Sequence, residues 1–414
     1  MKTSRRAFLA CSATALGAAC VPEVWGAAKE APTPAATSLK ILILGGTGFL
    51  GPACTTSALA RGHKVTQFTS GRTEELRHAA GRPSAVPDGV EQLYGNRDPN
   101  KTAADRKNEG KPDAPIDPNS PKGLTQLVGR KWDAVIDTSG FFPRIVKASA
   151  ELLAPNVKQY LFISTISAYK DFSKPDFDET AALATMADPS SEEMGKDFAN
   201  YGGGKALCEK AAEDAMPGRV TNLRPGFMVG PRDTSGRFLY WPVRESLGGV
   251  MIVPGAPADP IQIIDVRDVA DFIVHCLEQK IVGVYNVTGP AKPLAMQGMV
   301  EAVRDGVTSA VDFVWIASDF LDAHGIQQNQ FPLHDSPTDS SAGLHRCNIS
   351  RALARGLTFR PLAETAKDSL DWYHSLPAGT QAAVVPQLSQ KPGHEPWLES
   401  EKHLLELWNQ RAKK

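Results

Sequence analysis

Short apolar runs separated by polar and glycine-rich segments recur along the chain, at Ile41 to Leu44, His63 to Phe68, Gln92 to Tyr94, Ala134 to Thr138, Tyr160 to Ser164 and Val220 to Arg224. Brief runs of this kind, alternating with longer helical stretches, read as strands covered on both faces. The pattern predicts an α/β fold, a Rossmann-like doubly wound parallel sheet with helices on either side. Beyond Arg224 it changes. Gly226 to Pro260 reads as aromatic-rich loop, Ile261 to Ile264 as a strand, Val266 to Gln279 as a helix and Val284 to Val287 as another core strand. From about Gly289 onward a smaller lobe follows, with helices at Leu362 to His374 and, amphipathic, at Trp397 to Trp408. Two polar insertions stand out: Asp98 to Gly123 predicts a solvent-exposed loop, and Asp188 to Asn200 a polar approach to the next helix. No internal repeat is visible.

The first apolar run passes directly into Gly45-Gly46-Thr47-Gly48-Phe49-Leu50-Gly51 and then into a helix that Gly62 ends. A strand, glycines spaced G-x-x-G-x-x-G and a helix predict a dinucleotide-binding turn. Gly45 permits the tight turn, Gly48 the approach of a pyrophosphate, and Gly51 the packing of helix on strand. Free N–H groups at the helix start, those of Thr47, Phe49 and Leu50 among them, suit the phosphates. Residues 39–225 and 261–290 are therefore expected to form the dinucleotide-binding domain, with 226–260 and 291–414 as substrate lobe and C-terminal helices.

With 414 residues and 42% hydrophobic content the chain can bury a large core, and its net charge of −1 gives no electrostatic case for nucleic acid or a membrane surface. The N-terminus adds a compartment. Arg5-Arg6 followed by an alanine-rich apolar run to about Val21 resembles a twin-arginine export signal occupying residues 1–28, with cleavage after Gly26 or Ala28 and a poor lipoprotein site at Cys20. Residues 29–38 form an Ala/Pro/Thr linker. No other segment is apolar enough to span a bilayer, so a soluble periplasmic or otherwise exported protein, delivered by the twin-arginine translocase, is expected. Of six cysteines, Cys11 and Cys20 lie in the signal, and Cys54, Cys208, Cys276 and Cys347 are scattered among apolar neighbours as buried free thiols. No metal site is expected, since His334, Asp335 and His345 show no ligand spacing.

Candidate chemistry lies at Phe162-Ile163-Ser164-Thr165-Ile166-Ser167, ending a strand, and at Tyr201-Gly202-Gly203-Gly204-Lys205, opening a helix. Tyr201 and Lys205 share a helix face, and no other tyrosine has a lysine four residues on. A phenol is a poor base at neutral pH, and a neighbouring ammonium brings it toward the working range. In the order glycine turn, hydroxyl strand, Tyr/Lys helix, then Arg224-Pro225-Gly226 and Gly230-Pro231, the chain resembles the extended short-chain dehydrogenase/reductase family, the NAD-dependent epimerase/dehydratase group, from about Lys40 to Leu376. The resemblance implies that Tyr201 exchanges a proton with a substrate hydroxyl or carbonyl. It also implies that Lys205 holds the nicotinamide ribose and that Thr165, preferred over Ser164 and Ser167, hydrogen-bonds the same oxygen.

The second strand ends Phe68-Thr69-Ser70-Gly71-Arg72 without a carboxylate, so Arg72 with Ser70 favours NADP over NAD, both remaining open. Asn96 stands where the resemblance implies an Asp beside the adenine; Thr138, Ser139, Ser164 and Pro225 are expected to border the nucleotide. Thr165 is followed by Ile166 and Ser167 rather than the acid pair of family dehydratases, and Phe227 replaces an Asn that contacts nucleotide sugars. Ser167, Arg237, Tyr240 and Trp241 are candidate substrate contacts, with Arg232 and Arg244 in the same loop. Together these features point to an exported redox enzyme interconverting a secondary alcohol and a ketone on a sugar-like small molecule, most simply an epimerase that retains its cofactor. A net dehydrogenase or reductase is the alternative. A non-catalytic nucleotide- or RNA-binding protein is a third, because Val65-Thr66-x-Phe68 resembles chloroplast stem-loop RNA-binding relatives of the family.

Overall fold

The computed structural model describes residues 34–79, 84, 86–107, 119–326, 330–389 and 396–411; the twin-arginine segment lies outside them. In chain order the first half runs β1 (Lys40–Leu44), α1 (Leu50–Ala60), β2 (Lys64–Thr69), α2 (Arg72–Ala79), β3 (Glu91–Tyr94), α3 (Ala103–Lys107), β4 (Ala134–Asp137), α4 (Pro143–Leu153), β5 (Gln159–Ile163), α5 (Tyr201–Ala215) and β6 (Val220–Pro225). It continues through β7 (Phe227–Val229), α6 (Tyr240–Ser246), β8 (Gly249–Pro254), β9 (Pro260–Ile261), β10 (Ile263–Asp265), α7 (Val266–Glu278) and β11 (Gly283–Val287). Then come β12 (Leu294–Ala295), α8 (Met296–Val307), β13 (Val311–Ile316), α9 (Ser318–Ala323), α10 (Ser350–Leu353), α11 (Leu362–His374), α12 (Ala378–Val384) and α13 (Trp397–Arg411).

The central sheet has the order β11-β6-β5-β4-β1-β2-β3, with every pairing parallel. Its strands are apolar on both faces because both are covered. Ile41, Ile43, Leu161 and Leu223 pack with α1 and α7, whereas Leu42, Leu44, Tyr160 and Phe162 pack with α4 and α5. The order reverses between β1 and β4, and in such sheets a crevice opens there at the C-terminal strand ends. This is the expected Rossmann-like architecture.

Differences from the sequence reading have local causes. The stretch Gly226 to Pro260, expected as loop, contains β7, α6 and β8; β8 pairs in parallel with β13 and α6 packs on α8, outside the central sheet. Ile261 to Ile264 is two strands rather than one. Gln262 donates its backbone N–H to Nδ1 of His345 and pairs its side chain with the Cys347 backbone, leaving Ile261 to pair with β12 and Ile263 with β7. The insertion after Asp98 is partly structured, since Asp98, Ala103 and Ala104 are buried and Asp98 pairs with Arg144. Cys54, Cys208, Cys276 and Cys347 are free and buried. Among the described residues no helix is long and apolar enough to cross a membrane.

Candidate active site

The glycine turn closes where β1 meets α1. Gly45 adopts φ +92°, and its N–H donates to the Phe68 carbonyl at 3.0 Å. A Cβ on Gly45 would lie 2.7 Å from the Thr138 and Ser139 side chains, and one on Gly51 2.5 Å from the Gly46 carbonyl carbon. Gly48 differs: a Cβ there meets nothing within 4 Å. Two of the three glycines are thus demanded by the protein's own packing, and the third faces open space. Thr47 and Leu50 are buried and Phe49 half-buried, with Leu50 in the core beside Ile41, so the exposed part of this turn is its backbone.

Several residues expected along the crevice shape it rather than face it. Thr138 donates its hydroxyl to the Leu44 and Gly45 carbonyls, pinning the glycine turn. Asn96 is half-buried; its amide donates to the Thr102 carbonyl and its oxygen accepts the Asp98 N–H, an Asx turn. Pro225 lies within β6, opposite Val287. Ser70 accepts the N–H of Arg72, the first residue of α2.

Sequence reasoning missed the buried pair beneath this floor. Arg97 bonds both oxygens of Asp137 at 2.5 and 2.8 Å, and also Ser139 and Ser149, while Tyr160 donates to the same carboxylate at 2.7 Å. Burial alone would raise the Asp137 carboxyl, but Arg97 together with the Tyr160 and Ser139 hydrogen bonds outweighs it and holds the group below the usual carboxylate range. An Arg in a polar stretch carries no sequence signal for such a role.

Tyr201, Thr165 and Lys205 come together at the C-terminal end of β5. Thr165 caps the short 3-10 turn of Ile166–Ala168 by accepting the Ser167 N–H at 3.1 Å, which fixes its hydroxyl beside the Tyr201 phenol. Burial raises the half-buried phenol above its ordinary value, while the Thr165 hydrogen bond and the Arg237 guanidinium pull the other way. Lys205 does not supply that pull, contrary to expectation, because its ammonium turns inward. It donates to the Gly140 and Ile163 carbonyls at 2.7 and 2.6 Å and lies 4.2 Å above the Phe162 ring. Burial pushes Lys205 down to about 8. Next to it Ser164 is buried, and its hydroxyl has no hydrogen-bond partner.

Gly202 and Gly203 are required by the chain's own packing. A Cβ on Gly202 would sit 2.0 Å from the Ser167 carbonyl oxygen, and one on Gly203 2.8 Å from the Met186 side chain. These glycines let α5 press against the chain's own loops.

On the substrate side Ser167 is exposed, and Arg237 is exposed above Phe227 with its ring centroid 5.6 Å away. His345 also stacks on Phe227, at 5.1 Å. Tyr240 and Trp241 are corrected to core residues. Both are fully buried in an edge-to-face pair, Trp241 donates to the Pro332 carbonyl at 2.9 Å, and α6 turns them away from the crevice to pack on α8. Arg244 is likewise buried, against Glu401. Among the described residues no group of three or more His, Cys, Asp or Glu side chains is placed to hold a metal.

Known proteins share this framework. Over 272 residues the chain is 26% identical to the chloroplast stem-loop binding protein of 41 kDa b of Arabidopsis thaliana, covering 65% of this chain and 63% of that protein. The chain thus spans less than two thirds of that relative's length. It is similar in structure to the UDP-N-acetylglucosamine 4-epimerase from Methanobrevibacter ruminantium M1 in complex with UDP-N-acetylmuramic acid, at 15% identity over 82% of this chain and 99% of that one, with a TM-score of 0.55. The Bordetella bronchiseptica enzyme WbmH in complex with NAD+ matches at 17% identity, 82% and 99% coverage and a TM-score of 0.54. For the UDP-N-acetylglucosamine 4-epimerase from Bacillus cereus the values are 17%, 81%, 99% and 0.51. At these identities the likeness is one of fold. Residues 41–288, from the first strand of the central sheet through its last, match the NAD dependent epimerase/dehydratase family, and the chain belongs to that family.

Proposed function

We propose that this chain is an enzyme interconverting a secondary alcohol and its ketone on a sugar-like small molecule, as an epimerase that keeps its nicotinamide dinucleotide bound between turnovers. The meeting of Tyr201, Thr165 and Lys205 at the end of β5, beside the glycine turn, carries this reading. The residues present fit a dinucleotide. Gly48 leaves open space above a helix N-terminus, and Ser164 offers a buried hydroxyl without a partner. The glycine turn and Ser164 would hold it, with the remaining Lys205 donor directed to a ribose. When bound, the nicotinamide ring supplies a reversible acceptor for hydride.

The protein's own part is proton handling. Tyr201 Oη, held up by burial, is protonated at neutral pH and is ready to donate to a ketone oxygen. Taking a proton from an alcohol requires help, which the Thr165 hydrogen bond and Arg237 provide by favouring the charged phenolate. Arg237 and the Phe227 ring offer a cation and an apolar face to a sugar-like substrate. The structural neighbours named for UDP-N-acetylglucosamine 4-epimerisation support a sugar-like substrate class.

Export by the twin-arginine route to the periplasm belongs to the same reading, since Arg5 and Arg6 head an apolar run and such a route delivers proteins already folded around their cofactor. Replacing both arginines by lysine is expected to leave the protein in the cytoplasmic fraction. The central experiment is to purify the exported protein, denature it and identify any released nucleotide by mass spectrometry. Product with the mass of the substrate supports epimerisation; stoichiometric change in nucleotide absorbance identifies a net dehydrogenase or reductase instead. Release of no nucleotide would overturn the retained-cofactor reading. A second reading, stem-loop binding without catalysis, draws on the likeness to the Arabidopsis protein. Filter binding to a stem-loop RNA at two salt concentrations tests it, a salt-sensitive signal being its requirement.

A further inference from the structure

The buried Arg97–Asp137 pair is held from several sides at once. Arg97 stands between two anchored neighbours: Asn96 closes an Asx turn onto Asp98, and Asp98 pairs with Arg144 of α4 at 3.0 Å. Two residues earlier, Gly95 donates its N–H to the Thr69 carbonyl at the end of β2. From this loop the Arg97 guanidinium reaches Ser149 of α4 at 3.2 Å, Ser139 Oγ at 2.8 Å and both oxygens of the fully buried Asp137. The same carboxylate accepts the Tyr160 hydroxyl and the Ser139 N–H.

These bonds converge on one short turn, residues 137–140, and two parts of the candidate site rest on it. At one end Thr138 donates to the Leu44 and Gly45 carbonyls, and Ser139 packs so closely that a Cβ on Gly45 would lie 2.7 Å from its own Cβ. At the other end the Gly140 carbonyl receives the Lys205 ammonium at 2.7 Å. Gly140 lies directly against the pair: a Cβ there would stand 3.0 Å from Asp137 Oδ2. A buried ion pair adds little net stability, because desolvation offsets much of its attraction. Its part here is geometric.

We propose that Arg97 is a positioning residue of the nucleotide site: through Asp137 and Ser139 it sets the turn that pins the glycine turn at one end and aims the Lys205 ammonium at the other. The inference rests on the nicotinamide-dinucleotide reading given above and adds to it a residue that acts through others. The pair also sets the charge around Lys205. Besides burial, which lowers it, the ammonium feels Cys208 and Glu209 on its own helix, Asp137 after β4 and Arg97 after β3. Glu209 is bound by Arg224 and Cys208 is a buried thiol, so the balance open to substitution is between Asp137, which favours the charged ammonium, and Arg97, which opposes it.

Fluorescence titration of the full chain with NADH and with NADPH, over a pH range spanning the Lys205 value of about 8 and alongside thermal melts, tests it. Asp137→Asn keeps the shape and removes the countercharge; affinity is expected to fall about tenfold and its alkaline decline to move to lower pH. Arg97→Met should weaken binding similarly and move the decline to higher pH. Arg97→Lys restores the charge without the fork, so it should recover the pH of the decline but not the affinity. If a single variant fails to fold, Arg97→Met combined with Asp137→Leu replaces the pair by apolar side chains, and weak binding with a decline near the wild-type pH is expected. Arg360→Met, which breaks a buried pair between α7 and the C-terminal lobe, serves as the control: it should lose stability and keep wild-type affinity. Variants at Arg97 and Asp137 that bind as wild type does, or that weaken only as far as Arg360→Met, would make the pair structural alone and overturn the assignment. So would a pH shift in the same direction in both. Wild type that binds neither nucleotide removes the cofactor reading beneath it as well.

Discussion

Tyr201 and Lys205 occupy one helix face, yet their environments differ, and each sets a measurable pH response. Tyr201→Phe keeps the ring and its packing but removes the transferable proton; turnover is expected to fall by about 10²–10⁴ while nucleotide binding, followed by fluorescence, is unchanged. For Lys205 the folded-state value of about 8 lies below the ordinary 10.5. The folded chain therefore binds fewer protons than the unfolded one between those values, and this residue's contribution to stability rises with pH across that window. Loss of the ammonium above about 8 removes the remaining Lys205 donor proposed for the ribose, so nucleotide affinity is expected to decline there, and Lys205→Met to abolish that pH dependence. Glu245 gives the opposite sign. It is fully buried, neither carboxyl oxygen has a hydrogen-bond partner, and burial pushes it up to about 9. The folded state holds a proton that the unfolded state releases above 4.5, so stability falls with rising pH between 4.5 and about 9. Glu245→Gln should raise the melting temperature at pH 7, by the equivalent of about 1–3 kcal/mol, and flatten this dependence.

Among the elements, the turn from β1 into α1 separates packing from binding most cleanly. An added methyl at Gly51 collides with the Gly46 backbone at 2.5 Å, so Gly51→Ala is expected to lower the melting temperature as well as nucleotide affinity. At Gly48 the same methyl meets no protein atom within 4 Å. Gly48→Ala should melt like wild type and bind nucleotide at least tenfold more weakly, because the methyl occupies space intended for phosphate. Equal affinity in that variant would mean the turn is structural alone. The first turn of α5 shows the converse. Its glycines Gly202 and Gly203 accommodate Ser167 and Met186.

At the level of the whole molecule, buried ion pairs join the central sheet's last helix to the C-terminal lobe. Asp268 of α7 bonds the Arg360 side chain and backbone at 2.9 Å, Asp265 accepts the Thr365 hydroxyl, and Arg267 reaches Asp368 on α11. Arg360→Met withdraws a cation from a fully buried carboxylate and is expected to cost about 3–5 kcal/mol, read in a thermal or urea melt. Lys147→Ala, which removes an exposed pair with Glu151, should change stability by less than about 1 kcal/mol. If both variants melt alike, the lobes are held by apolar contact alone.

Local covalent and hydrophobic patterning, read along the chain, was sufficient for the six parallel strands up to Arg224, the glycine turn, the helix at Leu362–His374, a C-terminal helix read as Trp397 to Trp408 and observed to run on to Arg411, and the pairing of Tyr201 with Lys205 on one face. These are short-range properties: periodicity, turn chemistry and helical spacing act within a few residues. What the chain order left open was decided by contacts between distant segments. Gln262 breaks a strand because His345 and Cys347 bond it; Tyr240 and Trp241 are buried because α8 covers them; Lys205 turns from the phenol because the Gly140 and Ile163 carbonyls receive it. Arg97 and Asp137 meet as a buried pair on the same ground. Each such outcome depends on which partner tertiary packing brings within hydrogen-bonding distance, and that is a property of the fold as a whole, carried by no single stretch of sequence.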